Sequence, residues 1–217
     1  MSARPLALLG GTFDPVHNGH LRAAWEAAEQ LDAEVCLLPA NVPPHRPQPV
    51  LDPAQRVELL ELALAGQQRL RLDTRELRRA GPSYTVDTLR ELRAEVGDAR
   101  PLLLLLGVDA FAGLPSWNRW LHLFELAHIA VLDRPGHSRD YAAALRGQIA
   151  ARRCAADADW RSQGAGRVLF LDILELDISA TAIRAQLAAG REPRYLLPDA
   201  VLAQIRRRGW YAPAAAG

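Results

Sequence analysis

Residues 10–20 read Gly10-Gly11-Thr12-Phe13-Asp14-Pro15-Val16-His17-Asn18-Gly19-His20, a stretch in which glycines, a hydroxyl and two histidines fall close together. Those residue types suit the binding of phosphate. Glycine lets a backbone approach an anion with no Cβ in the way, and the start of a helix offers unpaired N–H groups and a partial positive charge. His17 and His20 add side-chain donors. The stretch is neither of the commoner phosphate loops, since it lacks the three spaced glycines of a dinucleotide fingerprint and the Gly-Lys-Ser/Thr of a P-loop. Two other readings stand beside this one: an ordinary Gly-Gly turn, and a metal site built on the histidine pair. A zinc site needs three or four ligands, and neither Cys36 nor Cys154 lies in a paired ligand spacing.

A second group lies far along the chain, at Ile178-Ser179-Ala180-Thr181-Ala182-Ile183-Arg184. Ser179 is typed as a helix cap, and Arg184 can offer a phosphate a planar, two-pronged donor face. Surface charge is the plainer reading of Arg184. Gly107-Val108-Asp109 closes a run of five leucines, and Asp109 can serve there as a ligand contact or as a helix cap. Arg134 follows the next apolar run.

The elements that must carry these residues are legible from the apolar pattern. Leu6–Leu9, Glu34–Pro39, Leu102–Leu106, Ala127–Leu132 and Val168–Leu171 read as short buried strands, and the leucine run implies burial on both faces. From Leu21 the residues Leu21, Ala24, Trp25 and Ala28 recur at helical spacing. Asp52-Pro53-Ala54-Gln55 supplies a cap, a first-turn proline and a capping-box glutamine, with Gly66 beyond the apolar face. Ser179 opens a helix over 180–189 before Gly190, and Pro198 opens a last one ending near Gly209. Strands separated by helices predict a mostly parallel sheet with helices on both faces, and ligands at the carboxyl ends of its strands. The chain is read as a single domain over 1–217. Its Ala- and Arg-rich segment 135–166 is expected to add helices and loops at the sheet's edge.

A hydrophobic content of 49% over 217 residues suits one sizeable core. A net charge of +1 and a pI near 7.9 give no broad basic field, so nucleic acid is not an expected partner. Arg206-Arg207-Arg208 fits the last turn of a helix, where cations complement the dipole. Two unpaired cysteines suit a reducing compartment, and no apolar run approaches the ~20 residues of a membrane span. A cytoplasmic protein bound to no membrane is the expectation.

The first loop resembles that of the T/H-x-G-H nucleotidylyltransferases, and Ile178–Arg184 resembles their Ile-Ser-x-Thr-x-Ile-Arg element. Within that superfamily the chain is most similar to the bacterial nicotinate-nucleotide adenylyltransferase family, from Leu6 to Tyr211, with 135–166 the least matched part. The resemblance implies a Rossmann-like α/β fold and the joining of ATP to nicotinate mononucleotide, giving nicotinate adenine dinucleotide and pyrophosphate. It implies catalytic roles for His17, His20 and Arg184. Contacts to ATP would come from Gly10, Gly11, Thr12, Phe13, His17, His20, Gly107, Asp109, Arg134, Ile178, Ser179, Thr181 and Arg184. Mg²⁺ would be bound through the ATP phosphates with no protein ligands. Asn41-Val42-Pro43-Pro44-His45-Arg46 resembles the acceptor-side Pro-Pro-His element, which gives His45 and Arg46 a place near phosphate. Pro82-Ser83-Tyr84-Thr85 and Leu114-Pro115-Ser116-Trp117-Asn118 resemble the nicotinate pocket. There Trp117 would stack on the ring beside Tyr84, and the N–H groups of Thr85 and Asn118 would hold the carboxylate. Backbone donors converging on one end of the ring favour an acid over an amide.

One departure is Ala180, where relatives often carry a small hydroxyl residue. The competing readings are a sibling transferase using nicotinamide mononucleotide or phosphopantetheine, a non-catalytic nucleotide sensor, and a fragment of a class I aminoacyl-tRNA synthetase. The Pro-Ser-Tyr-Thr and Pro-Ser-Trp segments speak against phosphopantetheine, and the retained His17, His20 and Arg184 against a sensor. The chain length and the lack of a Lys-Met-Ser-Lys-Ser element speak against a synthetase. Oligomeric state is left open, a homo-oligomer included.

Overall fold

The computed structural model describes residues 3–41, 48–79, 81, 83–133, 140–174 and 176–212. Six strands form one sheet: β1 (Leu6–Gly11), β2 (Glu34–Pro39), β3 (Leu70–Leu72), β4 (Leu102–Gly107), β5 (His128–Asp133) and β6 (Val168–Asp172). Every pairing is parallel, in the order β3-β2-β1-β4-β5-β6. The chain runs outward from β1 to β3 and then crosses back to β4, so β1 and β4 flank the point where the winding reverses. Open parallel sheets bind ligands at the carboxyl ends of such strands. Gly10-Gly11 and Gly107 occupy those two ends.

Among the described residues eight α-helices cover the sheet: α1 (Asn18–Gln30), α2 (Pro53–Leu64), α3 (Thr85–Val96), α4 (Val108–Ala112), α5 (Leu123–Leu126), α6 (Ala143–Arg152), α7 (Ala180–Ala188) and α8 (Asp199–Arg208). Alternation along the strands divides the interior in two. Ala7, Val35, Leu37, Leu103 and Leu105 face a layer built from α1, α2, α7 and α8, with Ala24, Leu59, Ile183 and Val201 at its centre. Leu6, Leu8, Leu102, Leu104 and Leu106 face α3 to α6 through Leu89, Phe111, Leu123 and Leu145. The leucine run of β4 is therefore buried on both sides, as its sequence predicts.

The predicted caps are in place. Asp52 and Gln55 form a reciprocal capping box, the Ser179 hydroxyl accepts from the Ala182 N–H at 3.0 Å, and Gly209 ends α8 with φ 66°. Gly66 and Gly190 also have positive φ. Differences from the sequence reading lie at β3, which is only three residues long, and at α3, whose apolar stripe Val86-Leu89-Leu92 had a readable period. Helix α1 begins at Asn18, three residues earlier than its apolar periodicity begins.

Segment 140–166 wraps the β6 edge. Tyr141 packs edge-on against Phe111 and Leu145 enters one core layer, while buried Trp160 enters the other. Between them Arg153 bridges in parallel to Val168, and the Cys154 N–H donates to the Val168 carbonyl at 3.0 Å. Covering an edge strand in this way occupies hydrogen-bonding groups that would otherwise be free to template another chain.

Candidate active site

The turn between β1 and α1 owes its shape to Gly11, Phe13, His17, Gly19 and His20. Phe13 adopts φ 51°, the left-handed region that a bulky side chain rarely enters, and its buried ring lies under Gly11. A Cβ on Gly11 would come within 2.9 Å of that ring. His17 then stands at the N-cap position of α1 without capping it; the Asn18 N–H donates to the Leu196 carbonyl at 2.9 Å, and the Gly19 and His20 N–H groups receive no side-chain cap. The His17 ring instead stacks on His20, centroids 3.6 Å apart, and Phe13 meets His20 edge-on at 4.9 Å. Gly19 leaves little room for a side chain in this packing: a Cβ there would lie 3.1 Å from the His17 Nδ1 and 3.4 Å from the Leu176 carbonyl.

His17 is only 5% exposed, and burial lowers its pKa from 6.5 to about 4. Its ring is neutral at neutral pH, and its Nδ1 has no hydrogen-bond partner among the described residues. A neutral imidazole so placed offers one N–H to an anion without carrying a full charge into the interior.

The far element comes down on the same turn. Leu176 lies against Gly19, and Arg184, from α7, donates through Nη1 to the Asp14 carbonyl at 2.6 Å. Its Nη2 reaches the Thr181 hydroxyl at 3.3 Å. The Ser179 and Thr181 oxygens accept these internal bonds, which leaves each hydroxyl proton available to an incoming acceptor such as phosphate. Ile178 is half-buried and its N–H donates to the Leu176 carbonyl at 2.7 Å. Among the described residues a Cβ on Gly10 or Gly107 would meet nothing within 4 Å, so the ends of β1 and β4 are open. Asp109 is exposed in the first turn of α4 and caps nothing, so its helix-cap reading is withdrawn.

Tyr84 is the N-cap residue of α3 and Thr85 its first residue, which places the Thr85 N–H among the donors a helix leaves unpaired at its start. Trp117 is half-buried on the same core layer as Val86 and Leu114, so the two segments share one face of the sheet. The Trp117 N–H is used, donating to the Leu114 carbonyl at 2.9 Å; that of exposed Asn118 takes part in no backbone hydrogen bond among the described residues. A network fixes the α3 segment: Thr88 donates to buried Glu76 at 2.7 Å, Arg79 donates to Thr88, and Asn41 donates to the Arg79 carbonyl. Burial pushes the Glu76 carboxyl up, against the Thr88 hydrogen bond and the Arg79 charge. His45, Arg46 and Arg134 lie outside the described residues.

Sequence reasoning passed over Asp14, Arg56 and Tyr211. Arg56 is fully buried, and its Nη1 joins the Thr12 carbonyl at 2.8 Å to the Ala40 carbonyl at 2.9 Å, tying the ends of β1 and β2 together. Its arginine identity inside an otherwise apolar helix stripe was the available signal.

Donors from α1 and α7 thus meet at the reversal point of an open parallel sheet. Fold and site define an α/β nucleotidyltransferase. Residues 8–186 match the family described as cytidylyltransferase-like. The curated relatives include proteins named "Probable nicotinate-nucleotide adenylyltransferase" from Halorhodospira halophila, 50% identical with 96% of this chain and 95% of the relative covered, and from Methylococcus capsulatus, 50% identical with 95% and 99% covered. The chain belongs to the nicotinate-nucleotide adenylyltransferase family. Its fold is shared with a Plasmodium falciparum nicotinic acid mononucleotide adenylyltransferase complexed with NaAD, at a TM-score of 0.72, 12% identity, and coverage of 96% and 98% of the two chains.

Proposed function

We infer that this chain joins ATP and nicotinate mononucleotide to form nicotinate adenine dinucleotide and pyrophosphate, a step towards NAD. The observation that carries this reading is the meeting of the uncapped α1 start, with His17 and His20, and the α7 element, with Ser179, Thr181 and Arg184, across the Arg184–Asp14 hydrogen bond. An acceptor phosphate is already an anion at neutral pH, so no base is needed to activate it. One of its oxygens attacks the α-phosphorus, the bond from that phosphorus to the bridging oxygen breaks, and the electron pair leaves on pyrophosphate. The obstacle is accumulated negative charge, and catalysis is positioning plus electrostatic stabilisation.

On this reading His17 and His20 hold nucleotide phosphates with the α1 N–H groups, and Arg184 holds the same phosphates in bound ATP and as charge develops on the leaving group. Gly10, Gly11, Thr12, Phe13, Gly107, Asp109 and Ile178 frame the nucleotide. Trp117 stacks on the acceptor ring, with Tyr84, Thr85 and Asn118 around it. Arg134, His45 and Arg46 keep the roles that the family resemblance gives them.

Among the described residues no three His, Cys, Asp or Glu side chains converge, and the site's groups are chiefly donors. The donors of His17, His20, Ser179, Thr181 and Arg184 suit a triphosphate, which would bring Mg²⁺ on its own oxygens, the ion neutralising phosphate charge. One sheet carrying every element supports a single domain. Among the described residues no helix is long and apolar enough to cross a membrane; two free cysteines suit the reducing cytoplasm where these nucleotides are used. Incubation of the purified chain with ATP, Mg²⁺ and nicotinate mononucleotide, with mass detection of the dinucleotide, tests the reading. Formation of nicotinate adenine dinucleotide with equimolar pyrophosphate is expected, and its absence would overturn it.

A further inference from the structure

Asp14 is 3% exposed and stands in the phosphate turn, yet its carboxylate does not face an empty cleft. Its Oδ2 accepts from the Val50 N–H at 2.7 Å. Its Oδ1 accepts from the Leu51 N–H at 3.2 Å and from the Tyr211 hydroxyl at 2.5 Å. Arg184 Nη1, bonded to the Asp14 carbonyl, lies 3.9 Å from the Oδ2. Burial and the facing carboxylate both push the Tyr211 hydroxyl well above its ordinary range, so it remains a donor. Three stretches of chain therefore meet on one residue: the segment that follows 42–47 and the turn after α8 at its carboxylate, and the helix bearing Arg184 at its carbonyl.

We propose that Asp14, closed from the far side by Tyr211, is a positioning residue that fixes Arg184 against the phosphate turn. The proposal rests on reading Arg184 as a phosphate-holding group. Arg184 is an arginine about one-third exposed, with one anchored nitrogen and a single hydroxyl contact, and a guanidinium so lightly held needs a fixed neighbour to keep its donor face aimed. The Asp14 carbonyl supplies the anchor, and the side chain of the same residue prevents that carbonyl from moving by accepting three hydrogen bonds. Fully satisfied buried networks of this kind hold one geometry because each lost bond leaves a buried polar group unpaired.

The test is a double-mutant cycle read by ATP affinity, measured by calorimetry on the full chain with Mg²⁺, which does not depend on the identity of the acceptor. Tyr211→Phe removes one hydroxyl and leaves the Val50 and Leu51 bonds, so it remains usable if Asp14→Asn fails to fold. In the otherwise unaltered chain Tyr211→Phe should weaken ATP binding about fivefold, and in an Arg184→Ala background less than about twofold, because neighbours acting through one group are not additive. Equal losses in both backgrounds would overturn the proposal while leaving Arg184 its role. No loss from Arg184→Ala itself would overturn the phosphate-holding reading and the proposal with it.

Discussion

The His17 and His20 rings lie face to face, 3.6 Å between centroids and 22° from parallel. Two imidazolium ions at that separation would repel, and the buried member of the pair is the one kept neutral by desolvation. The pair is thus suited to hold phosphate by donated hydrogen bonds, with no need for both rings to be charged.

The neutral state of His17 has a stability signature. Its folded-state pKa near 4 lies below its ordinary 6.5, so as pH falls through 6.5 the unfolded chain takes up a proton that the folded chain does not. Stability is lost across the window from 6.5 to 4, and the difference of 2.5 units amounts to about 3 kcal/mol. Urea unfolding of the native chain and of His17→Asn between pH 7 and pH 4 should show the native chain losing more by roughly that amount. Parallel curves would show that His17 is not held neutral.

His20→Ala should act mainly on turnover. A donor whose contact strengthens as charge develops contributes to kcat more than to ATP affinity, and loss of one such donor costs about a hundredfold. Steady-state kinetics on a folded variant with near-normal kcat would remove His20 from the catalytic set.

Gly19→Ala separates helix propensity from site geometry. Alanine is the better helix former, but its Cβ would press on the His17 ring at 3.1 Å and the Leu176 carbonyl at 3.4 Å. The expected result is a melting temperature within a few degrees of the native chain and a kcat/KM lowered by about tenfold or more, from displacement of His17. Unchanged kinetics would show that the ring's place is not critical.

Trp117→Ala should raise the KM for the acceptor about tenfold and leave that for ATP nearly unchanged, the loss expected for one stacking platform. A pure packing role predicts instead a lower melting temperature with both KM values intact, since Trp117 also borders the core.

Much of this molecule is legible in its sequence because its signals are local. The β1 run, the leucines of β4, the capping box at Asp52 and the cap at Ser179 each depend on residues within a few positions of one another. What escapes is what depends on distance along the chain. Residue types alone do not show that Tyr211 reaches Asp14 across 197 positions, or that Arg56 closes the gap between Thr12 and Ala40. Strand β3 escapes for another reason: three residues are too few to set a period, and Leu70 is placed by pairing with β2. At the site, the residue types of His17, Gly19 and Arg184 were readable, whereas the close packing of the His17 ring on Gly19 and the burial that keeps His17 neutral were not.

Acceptor identity is decided at the proposed ring pocket. Pyrophosphate release should be measured with ATP, Mg²⁺ and, in turn, nicotinate mononucleotide, nicotinamide mononucleotide and phosphopantetheine, and the kcat/KM values compared. The proposed hold of the Thr85 and Asn118 N–H groups on the ring substituent predicts a preference of about a hundredfold or more for nicotinate mononucleotide, because the amide's NH₂ would meet donors with no acceptor between them. Equal or greater efficiency with either of the other acceptors would contradict the account.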